Sequence, residues 1–557
     1  MSGGFNAEGA GRAFEEFRCH HILTLGKPKM LRGETVGDSY EKERKMTWSE
    51  LFFDLIFVTG VRQLGDMLRE RLLAPGGEMA AEEEEGLTLT EYLVYFLLLW
   101  TLWTECSNYG TRWGVNDVFN FFHFGLYMFG VVVVVSSLGT SAETLSRLYL
   151  AVLFSYACGF VTNARIAYYY YDGKRKAGKY GVREAAFCLV KVAISLVGWY
   201  LVHHHPEAMT GEGSIGWIWP AVALVAFSIF APLIQMIGWQ AGLFPASNIP
   251  FHIEHYSERV SLLMVIYLGD GVDNLASATH SHDPPFGRVA IGFALLLALK
   301  VLLLDSCEVE PVQHAIRRHW VATFAFLQAQ MAQALGLAFV SSGLAMGLMS
   351  PTAEAYTDAQ WLLADGCAIL LGAFLVTALA HKPHDAVVAP PPSPDHPSAY
   401  YRTLLRRVYA FQVSLNVVAI CLCVFAAHAT LPPFHAPTTL LTLLAILLLL
   451  LGAANLLDEV VQGRLEKCLV GAHAEHGEHQ HAINEQPVQP PHTHQSVQGA
   501  SPPEFAAALD ALCALVQHDS TLRHEALQAL QRPKAMPGAA AGPTLNEPLL
   551  AAATGRQ

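Results

Sequence analysis

Long apolar runs dominate this chain, and they leave it few folds. Crossing the hydrocarbon core of a bilayer takes ~20 apolar residues in a helix. About a dozen stretches approach that length, near 48–68, 88–108, 118–138, 146–170, 184–203, 215–240, 256–278, 287–305, 318–345, 359–380, 405–428 and 437–457. Lipid offers no water to backbone polar groups, so each stretch must satisfy its own as a helix. The expected fold is an all-α polytopic transmembrane helix bundle of about twelve spans. Composition agrees: 52% of the 557 residues are hydrophobic and only 15% charged, against about 25% charged in soluble domains.

Basic residues favour cytoplasmic loops. Lys27, Lys29, Arg32, Lys42, Arg44 and Lys45 precede the first stretch, and Lys174, Arg175, Lys176, Lys179 and Arg183 follow the fourth. Arg317 and Arg318 lie before the ninth, Arg402, Arg406 and Arg407 open the eleventh, and Arg464 and Lys467 follow the twelfth. With an even number of spans all of these share one side, which predicts twelve spans and both termini cytoplasmic. The other side receives the glutamates at 82–85 and the segment His203-His204-His205-Pro206-Glu207. The sequence does not specify which membrane.

Three regions follow: a cytoplasmic segment over 1–47, a bundle over 48–457, and a largely disordered tail over 458–557 rich in His and Pro. The first segment lacks a signal-peptide core, so the first helix is expected to act as an uncleaved anchor. Residues 381–400, with Pro390-Pro391-Pro392, read as a linker. In the tail, Phe505, Leu509, Leu512 and Val516 have helical spacing, which predicts an amphipathic helix near 503–530. His473, His476, His479, His481, His492 and His494 could hold metal loosely or simply be solvated. Ten cysteines lie scattered without a CxxC pair or disulfide spacing. The net charge of −13 argues against nucleic acid as a partner.

The first apolar stretch opens as Trp48-Ser49-Glu50-Leu51-Phe52-Phe53-Asp54-Leu55-Ile56-Phe57-Val58, with two carboxylates in it. Four residues separate Glu50 from Asp54, which sets them about 40° apart on one helical face. Charge inside a membrane faces protein or a watery cavity, so this helix is expected in the interior.

The same segment resembles the opening signature of the bacterial low temperature requirement A family. Further pieces match in order: Arg112-Trp113-Gly114-Val115-Asn116-Asp117, then His255-Tyr256-Ser257-Glu258-Arg259 with Leu268-Gly269-Asp270, then Leu304-Asp305. Asn116 stands where the family has Asp, and Asp270 where it has Glu. The resemblance covers roughly residues 45 to 380 and implies a multi-pass membrane protein. It implies little about substrate.

Several constellations could carry chemistry. Glu50 and Asp54 read as a proton or cation site, because burial favours the neutral carboxyl and allows exchange near neutrality. They read equally as a structural ion pair, with Arg112, Arg165 or Arg259 as partners. His252, His255 and Glu258 recur every third residue and could converge as a metal site or a proton relay; the plainer reading is a polar helix end. Gly269-Asp270-Gly271 suggests a helix break or close packing. Glu105, Arg112, Asn116 and Asp117 read as a loop salt bridge with a helix cap, and Arg165 and Lys191 as counter-charges. Ser49-Glu50 and Ser257-Glu258 hint at two six-helix halves.

The leading expectation is a secondary transporter or ion-conducting protein, coupled to protons, acting on a small ion or solute in a lipid bilayer. Its site residues would be Glu50, Asp54, Glu258, Arg259, Asp270, Arg112, Asp117 and Arg165. No phosphate loop, dinucleotide fingerprint or nucleophile elbow occurs, so no catalytic residue and no cofactor are assigned. Two alternatives stay open: an intramembrane metal-dependent hydrolase using His252, His255 and Glu258, and a sensor or scaffold that engages a cytoplasmic protein through its tail.

Overall fold

Capping residues set where the first helices begin. Thr47 accepts from the Glu50 backbone N–H at 3.3 Å, and the Glu50 carboxylate accepts from the Thr47 N–H at 2.9 Å and its hydroxyl at 2.8 Å. This reciprocal capping box satisfies donors that a helix N-terminus leaves free. Thr88 and Glu91 repeat the arrangement at the second helix.

The computed structural model describes residues 29–30, 46–73, 87–114, 118–171, 176–210, 216–240, 249, 252–282, 286–305, 314–349, 353–381, 397–428 and 440–455. The helices are α1 (Trp48–Leu73), α2 (Leu89–Gly110), α3 (Val118–Ser136), α4 (Ala142–Tyr169) and α5 (Lys176–His204). The short α6 (Pro206–Thr210) precedes α7 (Ile218–Gln240), α8 (Ile253–His282) and α9 (Phe286–Lys300), which ends in a π-helical turn over Val301–Asp305. Then come α10 (Ala315–Arg318), α11 (Trp320–Met349), α12 (Ala353–Ala380), α13 (Pro397–His428) and α14 (Leu440–Asn455). Two-residue strands β1 (Lys29–Met30) and β2 (Trp113–Gly114) pair antiparallel. The tail, the proline linker, the glutamates at 82–85 and Asp117 lie outside the described residues.

Among the described residues, eight helices are long and apolar enough to cross a membrane: α3, α4, α5, α8, α9, α11, α12 and α13. Helices α7 and α14 carry shorter apolar stretches. Their outer faces expose Phe121, Phe129, Leu150, Leu189, Phe230 and Leu450. Such apolar surface is costly in water and natural against lipid.

Helices α1 and α2 owe their interior position to their side chains. Phe53, Phe57, Val61, Leu64 and Leu68 recur at helical spacing along α1 and are all buried. That helix touches α2, α3, α8, α11 and α12. Helix α2 buries Tyr92, Tyr95, Trp100 and Trp103, whose polar handles suit an interior better than a lipid face. Helix α11 is a further interior helix, one that no intramembrane charge marks. That helix is apolar, yet most of its span is buried. It packs on α12 at glycines: a Cβ at Gly343 would lie 2.6 Å from the Leu363 backbone nitrogen, and one at Gly366 2.9 Å from that of Val340. Small residues allow this approach of backbones.

Helix α8 runs unbroken through Gly269-Asp270-Gly271, so of the two readings, a break or close packing, the break does not occur. Gly271 serves packing instead, since a Cβ there would meet Leu296 Cδ2 of α9 at 2.9 Å.

Candidate functional site

Helices α1 and α8 lie side by side and run parallel, as their contacts show. Glu50 meets His255, Asp54 meets Arg259 and Arg62 meets Asp270, so both numbers rise together. Five long helices separate α1 from α8 in sequence. If each reverses direction, the seventh runs with the first.

At one end of this seam, two helix N-termini meet the C-terminus of α2. His252 caps α8, its Nδ1 accepting from the His255 N–H at 3.1 Å. The His252 N–H donates to the Thr111 carbonyl that follows α2, at 3.1 Å. Gly110 closes α2 so near the acids that a Cβ would lie 2.8 Å from Glu50 Oε1 and 3.5 Å from Arg259 Nη1.

Inside this end sit four buried polar side chains: Glu50 at 4% exposure, and Asp54, His255 and Arg259 at 0%. His255 Nε2 lies 3.1 Å from Glu50 Oε1. One turn deeper, Asp54 Oδ1 accepts from Arg259 Nη2 at 3.0 Å and from the Trp103 indole N–H at 2.7 Å. The Arg259 guanidinium also lies over the rings of Phe53 and Trp103. Opposite charges offset the desolvation of each group, and the aromatic faces favour the cation. Yet the offset is incomplete. Asp54 Oδ2, Arg259 Nη1, His255 Nδ1 and Ser107 Oγ are buried with no hydrogen-bond partner among the described residues. Ser107 lies one turn from Trp103 on α2, so its position faces the same junction. Orphaned polar atoms are expensive, and such a concentration of them marks a place where a proton, ion or water can bind.

The other sequence candidates are distributed elsewhere. Asp270 is on the same face of α8 as Arg259, but eleven residues further on, about 16 Å along the axis. It pairs with Arg62 at 3.6 Å, in a polar cluster apart from that of Glu50, Asp54, His255 and Arg259. Glu258 is exposed and accepts from the Met46 N–H at 3.2 Å. His252, His255 and Glu258 therefore do not converge. Steps of three drift around a helix by about 60° each, and His252 is a cap rather than a helical residue. Among the described residues no three His, Cys, Asp or Glu side chains are grouped to hold a metal.

Arg112 donates to the carbonyls of Ile249 and Asn108, joining the end of α2 to the approach to α8. Arg165 stacks over Phe119 at 4.5 Å. Lys191 finds Glu105, Nζ to Oε2 at 2.7 Å, tying α5 to α2, with the Cys188 thiol donating to the other carboxylate oxygen at 3.3 Å.

Sequence reasoning missed two roles. Glu50 is the acidic member of a capping box, and Thr47-x-x-Glu50 before an apolar run was the available signal. Trp103 as a partner of Asp54 left no signal, because nothing local ties position 103 to 54.

The family model described as Bacterial low temperature requirement A protein (LtrA) matches residues 45–453, extending past the sequence resemblance to α14. No curated protein and no solved structure matches the chain.

Proposed function

The chain belongs to the bacterial low temperature requirement A family, and on that premise we propose that this multi-pass membrane protein is a secondary transporter or ion-conducting protein coupled to protons. The observation that carries the proposal is the buried junction of α1, α2 and α8. It holds two acids, an arginine and a histidine, with unsatisfied atoms on Asp54, His255 and Arg259. A wholly structural brace would be expected to pair every such atom.

The charge count favours a proton as the exchanged species. With neutral His255 the four groups sum to −1, and a proton shared between Glu50 and His255 brings them to zero. Glu50 would bind that proton at the mouth of the seam, while Asp54 and Arg259 form the deeper pair.

We infer twelve spans with cytoplasmic termini. Supporting this are the alternation of basic loops and the parallel run of α1 and α8. The orientation would place the junction on the cytoplasmic side.

Purified protein in proteoliposomes under an imposed pH gradient tests the proposal across a panel of ions and small solutes. Movement of a solute that depends on the gradient is expected. Vesicles no more permeable than protein-free ones across the panel would contradict it.

A further inference from the structure

The α1–α8 seam carries a second polar cluster, about three helical turns further along it. Asp270 Oδ2 accepts from the Ser341 hydroxyl of α11 at 3.0 Å and from the Asn274 amide at 3.4 Å. The Asn274 amide also donates to Ser341 Oγ at 2.7 Å. On its outer side Asp270 Oδ1 faces Arg62 of α1, which also pairs with Asp273. Asp270 is only 10% exposed, whereas Arg62 is 37% exposed and caps the cluster from the surface.

Two further hydroxyls belong here. Tyr92 of α2 and Tyr267 of α8 are 0% and 2% exposed. Neither hydroxyl has a hydrogen-bond partner among the described residues. Tyr267 lies one helical turn before Asp270 on α8, and the Tyr92 ring lies 5.4 Å from that of Phe339 on α11, the helix that carries Ser341. Fully buried tyrosine hydroxyls usually find a partner, so two orphans in the neighbourhood of this cluster point to an absent third party.

Charge indicates its sign. Arg62 balances only one of Asp270 and Asp273, and nearby Asp66 already pairs with Arg69. One negative charge remains. The surrounding donors are oxygens: a carboxylate, a serine hydroxyl, two phenols, and the Asn274 carbonyl after a half-turn of its amide. Oxygen donors are what hard cations take, and a net charge of −1 calls for a monovalent one.

We propose that Asp270, Asn274 and Ser341, with the hydroxyls of Tyr92 and Tyr267, form a binding site for one small monovalent cation of sodium size. The site is separate from the Glu50–Asp54 junction. Between them lies Phe57, whose ring meets Trp100, Trp103 and Tyr267 at centroid distances of 6.0, 6.1 and 6.3 Å. One partner of that ring, Trp103, holds Asp54, and another, Tyr267, lies one turn from Asp270 on α8. Phe57 is therefore the partition between two stations on one seam. Coupling between the stations rests on the transport reading above; cation binding at Asp270 does not.

The test titrates purified protein with NaCl in place of choline chloride at fixed pH and ionic strength, following melting temperature and tryptophan fluorescence. A saturable rise in melting temperature is expected for the wild type. Asp270→Asn should abolish it. Ser341→Ala, a milder change that decides the matter if the first variant does not fold, should weaken apparent affinity by about tenfold. A wild type that responds equally to both salts overturns the site, as does a sodium response unchanged in Ser341→Ala and in any folded Asp270→Asn. A sodium response without solute flux upholds the site and removes the coupling; flux without a sodium response removes the site and leaves the transport reading standing.

Discussion

Asp54 and Arg259 meet through a single carboxylate oxygen, which also receives the Trp103 indole, so three helices converge on one atom. Arg259→Met would leave Asp54 buried with only the indole. Breaking such a pair costs about 3–5 kcal/mol. We expect a large loss of monodisperse protein on size exclusion. Adding Asp54→Leu should recover much of that yield, because a neutral pair removes the uncompensated charge. A double variant no more stable than the single would show that the two charges do not depend on each other.

Trp103→Phe keeps an aromatic ring beside Phe57 and Trp100 but removes the N–H to Asp54. An unmade hydrogen bond to a buried group costs about 1–3 kcal/mol. The melting temperature should fall, and by less in an Asp54→Leu background, where no acceptor remains. Equal falls in both backgrounds would assign the effect to packing.

Contact between α11 and α12 depends on absent side chains. Gly343→Ala would press a methyl against the Leu363 backbone, so α11 or α12 must shift. Overpacking of this kind costs about 1–3 kcal/mol. Gly372→Ala, with nothing within 4 Å of its Cβ, should leave the melting temperature nearly unchanged. Comparable losses at both positions would argue against backbone approach as the cause.

His381 follows the end of α12, buried against His314 and Phe326, with Nδ1 2.6 Å from the Thr377 carbonyl. Burial holds its imidazole below the ordinary value of 6.5; the Thr377 carbonyl works against this and Arg318 with it. The folded state therefore resists a proton that the unfolded chain accepts. Its contribution to stability is complete above pH 6.5 and is lost as pH falls from there towards the depressed value. Thermal melts from pH 8 to 5 should show His381→Gln losing less stability in acid than the wild type. Parallel curves would show that His381 does not govern this range.

Apolar length and spacing made the helices legible before any coordinates, because each must satisfy its own backbone in lipid. The Glu50–Asp54 pair was equally visible as charge out of place, and Arg259 was among its named partners. What the residues could not reveal was depth. Asp270 shares a face with Arg259, yet three turns separate them, and angular position alone does not tell one cluster from two. Nor could spacing distinguish a helical His252 from a capping one, since the difference lies in where α8 begins. The burial of α11 was hidden for another reason: an apolar helix suits lipid and protein equally, and only its glycines hinted at a close neighbour.

The most direct test is proton-dependent flux through Glu50→Gln. Glutamine can preserve the capping box with Thr47 and a hydrogen bond to His255 while removing the charge. Wild type and variant, matched for expression and melting temperature, would be reconstituted in vesicles under the same pH gradient. We predict that the variant folds normally and loses the dependence of flux on the gradient. Normal folding with unchanged, still gradient-dependent flux would contradict a proton site at the junction of α1, α2 and α8.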